Sequence, residues 1–212
     1  MLRKVVRYTY KTFFCKSDVL IEKEVKGCRN LLDVGCGSNS PVHTFSNKLY
    51  CIGVDAFAPS IEKSQKKGIH REYYQINILD IDKKFQQKSF DCTIALDVIE
   101  HLMKEDGYLL LDKMESIALK KVIIFTPNGF IEQGDRFKNP WQVHLSGWTK
   151  DDFSKRGYKV IGINGLKSLR GKYAKLKYWP PFLWGFISDI TELFVKQNPE
   201  KAFQLLAIKT FN

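Results

Sequence analysis

Two groups of residues in this chain have types and spacings that could do chemistry. The first is Asp33-Val34-Gly35-Cys36-Gly37, with a further acid at Asp55. Glycines at a strand-to-helix turn let the backbone pass close to a ligand and adopt conformations a side chain would forbid. Asp33 stands just before that turn, where a carboxylate can reach a cationic amino group. Asp55 ends a second apolar run roughly 20 residues on, where a carboxylate can accept both hydroxyls of a ribose. The second group is Asp97, Glu100 and His101, directly after the apolar run Phe90–Leu96. In open α/β folds the carboxyl edge of the sheet is where ligands bind. If Asp97 begins a helical turn, Glu100 lies one turn on, on the same side. Two hard carboxylates and an imidazole could hold Mg²⁺ or Mn²⁺, or Zn²⁺ or Fe²⁺. The structural alternative is a histidine that caps or packs a helix.

The elements that must position these groups alternate short apolar strands with helical stretches, the pattern of a parallel α/β sheet. Strands are expected at Asn30–Val34, Tyr50–Val54, Tyr73–Ile78 and Phe90–Leu96. The last is a flat apolar run, as a strand covered on both faces should be. Gly107–Leu119 reads as a helix, with Leu109, Leu110, Met114 and Ile117 near one face. A fifth strand, Lys121–Phe125, is expected to stop at the turn signal Thr126-Pro127-Asn128-Gly129. A short helix at Trp148–Lys155 and strands at Lys159–Ile163 and Phe203–Lys209 follow. Residues 1–28 read as a helical preface, and 167–199 as an excursion on the acceptor side or a lid. The whole, 1–212, is read as a single domain.

With 44% apolar residues, a packed core is expected and disorder is not. The formal charge is +11, from 34 basic and 23 acidic residues, which favours an anionic partner without naming it. The five cysteines, Cys15, Cys28, Cys36, Cys51 and Cys92, form no CxxC pair, and their odd number argues against a disulfide framework. The basic start has no uninterrupted apolar stretch, and no run reaches the ~18 residues of a spanning helix. A cytoplasmic protein is expected, with peripheral membrane contact as an option.

A glycine pair alone does not single out one ligand, because dinucleotide-binding turns carry GxGxxG in the same place. Here the third glycine position is Ser40. LLDVGCGSN at 31–39, IGVD at 52–55, FDCTIALDVIEHL at 90–102 and TPNG at 126–129 together resemble the class I methyltransferases of the ubiquinone-biosynthesis type. The resemblance covers about 31–163. It implies a Rossmann-like doubly wound seven-stranded sheet with the last strand antiparallel, and S-adenosyl-L-methionine as cofactor. It further implies that Asp33 binds the methionyl amino group, that Gly35 and Gly37 line the methionyl and ribose path, and that Asp55 holds the ribose hydroxyls. Leu96 and Asn77 would flank the cofactor, Asn77 standing where relatives carry an acid near the adenine amino group. A loop-forming Asn is the alternative at that position.

A second resemblance, to small-RNA 2′-O-methyltransferases, rests on Asp97-x-x-Glu100-His101 and on His144-Leu145-Ser146-Gly147-Trp148. It implies a divalent metal (Mg, Mn or Zn) on Asp97, Glu100, His101 and His144. Without a metal, His144 or His101 is the candidate general base, having an ordinary pKa near the working pH. The expected reaction is O-methylation of a small-molecule, glycan or lipid-linked acceptor. RNA 2′-O-methylation and a non-catalytic cofactor-binding protein are the alternatives. Arg3, Lys4, Arg7 and Lys11, with the lysines and aromatics Tyr173, Tyr178, Trp179 and Trp184 of the excursion, could meet an acidic membrane or single-stranded RNA.

Overall fold

The computed structural model describes residues 16–134 and 139–211 of the 212. The first part of the expected helical preface, with Arg3, Lys4, Arg7, Lys11 and Cys15, lies outside them. Seven strands form one sheet in the order β3-β2-β1-β4-β5-β7-β6. They are β1 Asn30–Val34, β2 Tyr50–Asp55, β3 Glu72–Gln75, β4 Phe90–Leu96, β5 Ala118–Pro127, β6 Lys159–Leu166 and β7 Ala202–Thr210. β1 pairs in parallel with β2 and β4, while β7 runs antiparallel to both β5 and β6. The last strand is thus the reversed one, wedged between its two predecessors.

The helices are α1 Lys16–Glu24, α2 Ala58–Lys66, α3 Ile81–Lys84, α4 Lys104–Ile117, α5 Lys150–Ser154, α6 Pro181–Ile190 and α7 Glu192–Gln197. The sheet is covered on both faces. In β1, Leu32 and Val34 pack with Leu110, Met114 and Ile117 of α4, whereas Leu31 packs with Ile21 and Val25 of α1. That alternation sends successive side chains to opposite layers, and each fully buried Leu or Ile contributes about 1.5–3 kcal/mol.

Four expectations are corrected. β3 ends at Gln75, and Ile78 opens a 3₁₀ turn capped by Asn77. Leu109, expected on the apolar face of α4, is exposed, and Leu111 is buried in its stead. β5 does not stop at Phe125: Thr126 and Pro127 pair with Leu205 and Gln204 of β7. Proline lacks only a donor, so it is tolerated at the end of a ladder, and the turn begins at Gly129, whose φ is 78°. The helix expected from Trp148 begins at Lys150 instead. Trp148 is fully buried, and its backbone bridges to Asn128 and Gly129.

Candidate active site

The glycine loop follows β1 directly. Gly35 and Gly37 have φ of 70° and 58°, in the left-handed region that L side chains avoid. At Gly35 a Cβ would also lie 2.6 Å from a Val98 methyl, so two constraints coincide there. At Gly37 a Cβ would meet nothing within 4 Å, and the space beside it is the cleft. Cys36 N–H donates to the Val54 carbonyl at 2.9 Å, tying the loop to β2. Asp55, the last residue of β2, accepts from Gly37 N–H on Oδ2 and from Phe57 N–H on Oδ1, both at 2.8 Å. Burial raises its pKa, and the two amides oppose that rise. After the loop the chain enters a 3₁₀ turn at Pro41–Thr44, capped by Ser40. It lacks the long helix whose N-terminus receives a pyrophosphate in dinucleotide folds.

These elements wall an open cleft. Its lining includes Gly35, Gly37, Asp55, Asn77, Asp97 and His101. Asn77 is an N-cap, its Oδ1 accepting from Leu79 N–H at 3.0 Å.

Beyond His101 a second pocket opens over Glu100 and His144, sharing Asp97, His101 and Gln142 with the cleft. Glu100, His101 and His144 offer ligand atoms that all lie within 4.8 Å of one another. Glu100 is buried and accepts from Thr126 Oγ1 at 2.9 Å. Burial, with Asp97 nearby, pushes its carboxyl well above the usual range. His101 Nδ1 meets the Val143 carbonyl at 3.1 Å and His144 Nδ1 meets the Ile131 carbonyl at 2.6 Å. A carbonyl only accepts, so each Nδ1 carries the proton and each Nε2 keeps its lone pair. Burial pulls His101 down to about 4 and lowers His144 as well, so both rings are neutral at pH 7.

The loop carrying His144 is held by its backbone and by Trp148. Leu145 and Ser146 N–H donate to the Glu100 carbonyl at 2.8 and 3.1 Å. Trp148 Nε1 donates to Ser146 Oγ at 2.9 Å, its ring stacks on Phe153, and Lys104 Nζ sits 3.7 Å above it. Gly107 of α4 leaves room for it, since a Cβ there would lie 2.3 Å from the indole.

Three residues sit elsewhere than the motifs suggest. Asp33 is buried and does not line the cleft; its Oδ2 lies 2.9 Å from His70 Nε2. It shares a face with Leu31, the face turned to the α1 layer. Leu96 likewise packs against that layer. Asp97 lines both cavities, yet it is not in the group of Glu100, His101 and His144, and its Oδ1 accepts from Gln204. Its φ of 53° takes the chain out of β4 before the next turn. Sequence reasoning missed His70, an isolated histidine with no motif spacing, and also Trp141 and Gln142 on the cleft wall. The Asn139-Pro140 turn was the available signal for the latter pair.

Residues 32–122 match the methyltransferase domain family. A small RNA 2′-O-methyltransferase of Tetrahymena thermophila is 23% identical over 175 residues, 66% of this chain. The chain spans 41% of the length of that curated relative. A SAM-dependent methyltransferase from Archaeoglobus fulgidus superposes with a TM-score of 0.59 at 17% identity, covering 97% of this chain and 99% of that one. The methyltransferase domain of bacterial CtHen1 gives 0.57 at 18% identity, covering 92% and 96%. The sheet order and the glycine loop agree with these likenesses: the chain has the Rossmann-like fold of the class I methyltransferases, and residues 32–122 match their domain family.

Proposed function

We propose that the chain transfers a methyl group from S-adenosylmethionine to a hydroxyl oxygen of a small-molecule, glycan or lipid-linked acceptor. The observation that carries this reading is the junction of two cavities, one over the glycine loop and one over Glu100 and His144, at Asp97, His101 and Gln142. The cofactor supplies an electrophilic methyl carbon on a sulfonium, so the protein has mainly to position a nucleophile and take its proton.

On the cofactor side, each Asp55 oxygen already accepts one backbone N–H and keeps lone-pair capacity for a ribose hydroxyl. Asn77 Oδ1 is spent on its cap, which leaves its amide N–H₂ to donate to an adenine ring nitrogen. Gly37 leaves the approach open. Asp33, paired with His70, supports the loop from behind.

On the acceptor side, the hydroxyl oxygen bonds to the methyl carbon as the carbon–sulfur bond breaks, and the hydroxyl proton passes to a neutral imidazole. His144 is the base and His101 orders the same corner, the two rings being 4.8 Å apart. Glu100, His101 and His144 also fit a divalent cation. Two imidazoles and one carboxylate suit Zn²⁺ or Mn²⁺ better than Mg²⁺, and both rings carry the Nδ1–H to carbonyl bond that orients a ligating histidine. A cation there would supply Lewis acidity that lowers the hydroxyl pKa.

A second reading, RNA 2′-O-methylation, is favoured by the Tetrahymena relative and by the buried Trp148 four residues after His144. A screen with labelled cofactor over sugar, lipid-linked and RNA acceptors separates the two. In the same assay Glu100→Ala and His144→Ala should each lower turnover by about 100-fold or more, with cofactor affinity by calorimetry unchanged. Full activity in both variants overturns the assignment.

A further inference from the structure

Helix α6 is built inside out. Its buried residues are Gly185 and Ser188. The Gly165 backbone comes so close that a Cβ there would lie 2.3 Å from Ser188 Oγ. The outward residues are Phe182, Phe186 and Ile190, exposed by 68%, 62% and 61%. Their spacing of four puts them in one stripe, and Trp179 and Leu193, at 85% and 75% exposure, extend it at both ends. A helix on a water-soluble surface ordinarily turns such a stripe to the core, and a contiguous exposed patch marks an interaction site. None of these five residues lines the two cavities of the active site.

The charges around the stripe are one-sided. Lys175 and Lys177 precede it, and Lys196 and Lys201 follow, whereas Lys172 pairs with Glu132 at 2.7 Å. The acids between 167 and 201 are Asp189, Glu192 and Glu200. Glu192 is buried, accepting from Gly165 N–H at 2.9 Å, and Glu200 pairs with Lys150. The ends of the stripe are therefore cationic, and its middle is aromatic and aliphatic. No helix among the described residues is long and apolar enough to cross a membrane, so contact of this kind is made from outside the bilayer.

We propose that Trp179, Phe182, Phe186, Ile190 and Leu193 seat α6 in the interface of an anionic lipid bilayer, with the flanking lysines on the headgroups. This is the way an interfacial helix divides its faces, and each lysine near an anionic surface adds to the attraction. Ala174, in the same excursion, lines the pocket of His144.

The test is co-sedimentation of the full chain with phosphatidylcholine vesicles, with and without phosphatidylglycerol. The wild type should pellet with the anionic vesicles, and added salt should weaken this. Phe182→Ser/Phe186→Ser/Ile190→Ser should cut the partition roughly ten-fold or more at unchanged melting temperature, because these side chains are exposed. Lys175→Glu/Lys177→Glu should weaken binding to anionic vesicles alone. A wild type that stays in the supernatant overturns the proposal, as does a triple variant that pellets equally well. So does light scattering that shows the stripe joining two copies, which the triple variant separates. Loss of RNA-oligonucleotide binding in the triple variant, with vesicle binding intact, overturns it too.

Discussion

At the residue scale the cleft over the glycine loop depends on two positions that cannot vary freely. Gly35→Ala combines a left-handed φ with a Val98 contact, and should cost about 1–3 kcal/mol in urea denaturation. Asp55→Ala strips the partner from Gly37 and Phe57 N–H. It should weaken S-adenosylmethionine binding by roughly ten-fold or more in calorimetry. In the proposed mechanism the two histidines set the response to pH. Only a neutral imidazole can take a proton or ligate a cation, and burial lowers the pKa of both. The neutral forms therefore persist below the ordinary value of about 6.5, and activity is lost only as pH falls through the lowered values. The acid limb of kcat/KM should lie below pH 6.5; a limb at or above it would contradict the assignment. Gly35, Gly37, Asp55, Glu100 and His101 were legible because each sits at a fixed offset from an apolar strand. His70 was not, since its link to Asp33 is a tertiary contact across 37 positions that no local spacing encodes.

At the element scale, the loop before α5 is positioned from its far end. Trp148 fills the layer beside α4, and the backbone between it and His144 is sewn to Glu100. Trp148→Ala should cost about 3–5 kcal/mol, and it should also depress turnover although residue 148 touches neither cavity. Trp148→Phe, keeping most of the ring, should restore much of the stability but not the bond to Ser146. Denaturation and kinetics on the pair separate packing from positioning. The bounds of β1 and β4 are legible in the sequence because buried parallel strands are continuous apolar runs. The end of β5 is not, because a local turn signal at Pro127 competes with a distant partner, β7. The orientation of α6 is hidden for a related reason. An apolar helical stretch states that one face is apolar, but which face the fold covers is decided by Gly165 and Ser188 meeting in space.

At the scale of the whole molecule, a ligand that binds only the folded chain must raise its stability. If Glu100, His101 and His144 hold a cation, Zn²⁺ or Mn²⁺ at about 100 times its Kd adds about 2.7 kcal/mol, visible as a higher melting temperature. EDTA should reverse the shift, and Glu100→Ala should abolish it. An equal shift in Glu100→Ala would assign the effect to other groups.

The path of the chain around β7 has a consequence for how freely the excursion can vary. The excursion leaves the sheet at Leu166 and returns at Ala202, and these two residues are register partners. Whatever lies between them is a closed detour hung on neighbouring strand ends. The entropy of closing a loop grows only slowly with its length. The detour can therefore be lengthened, shortened or exchanged with little strain on the glycine loop, which follows β1. The fold thus lets this cassette be exchanged without rebuilding the strands that carry the glycine loop.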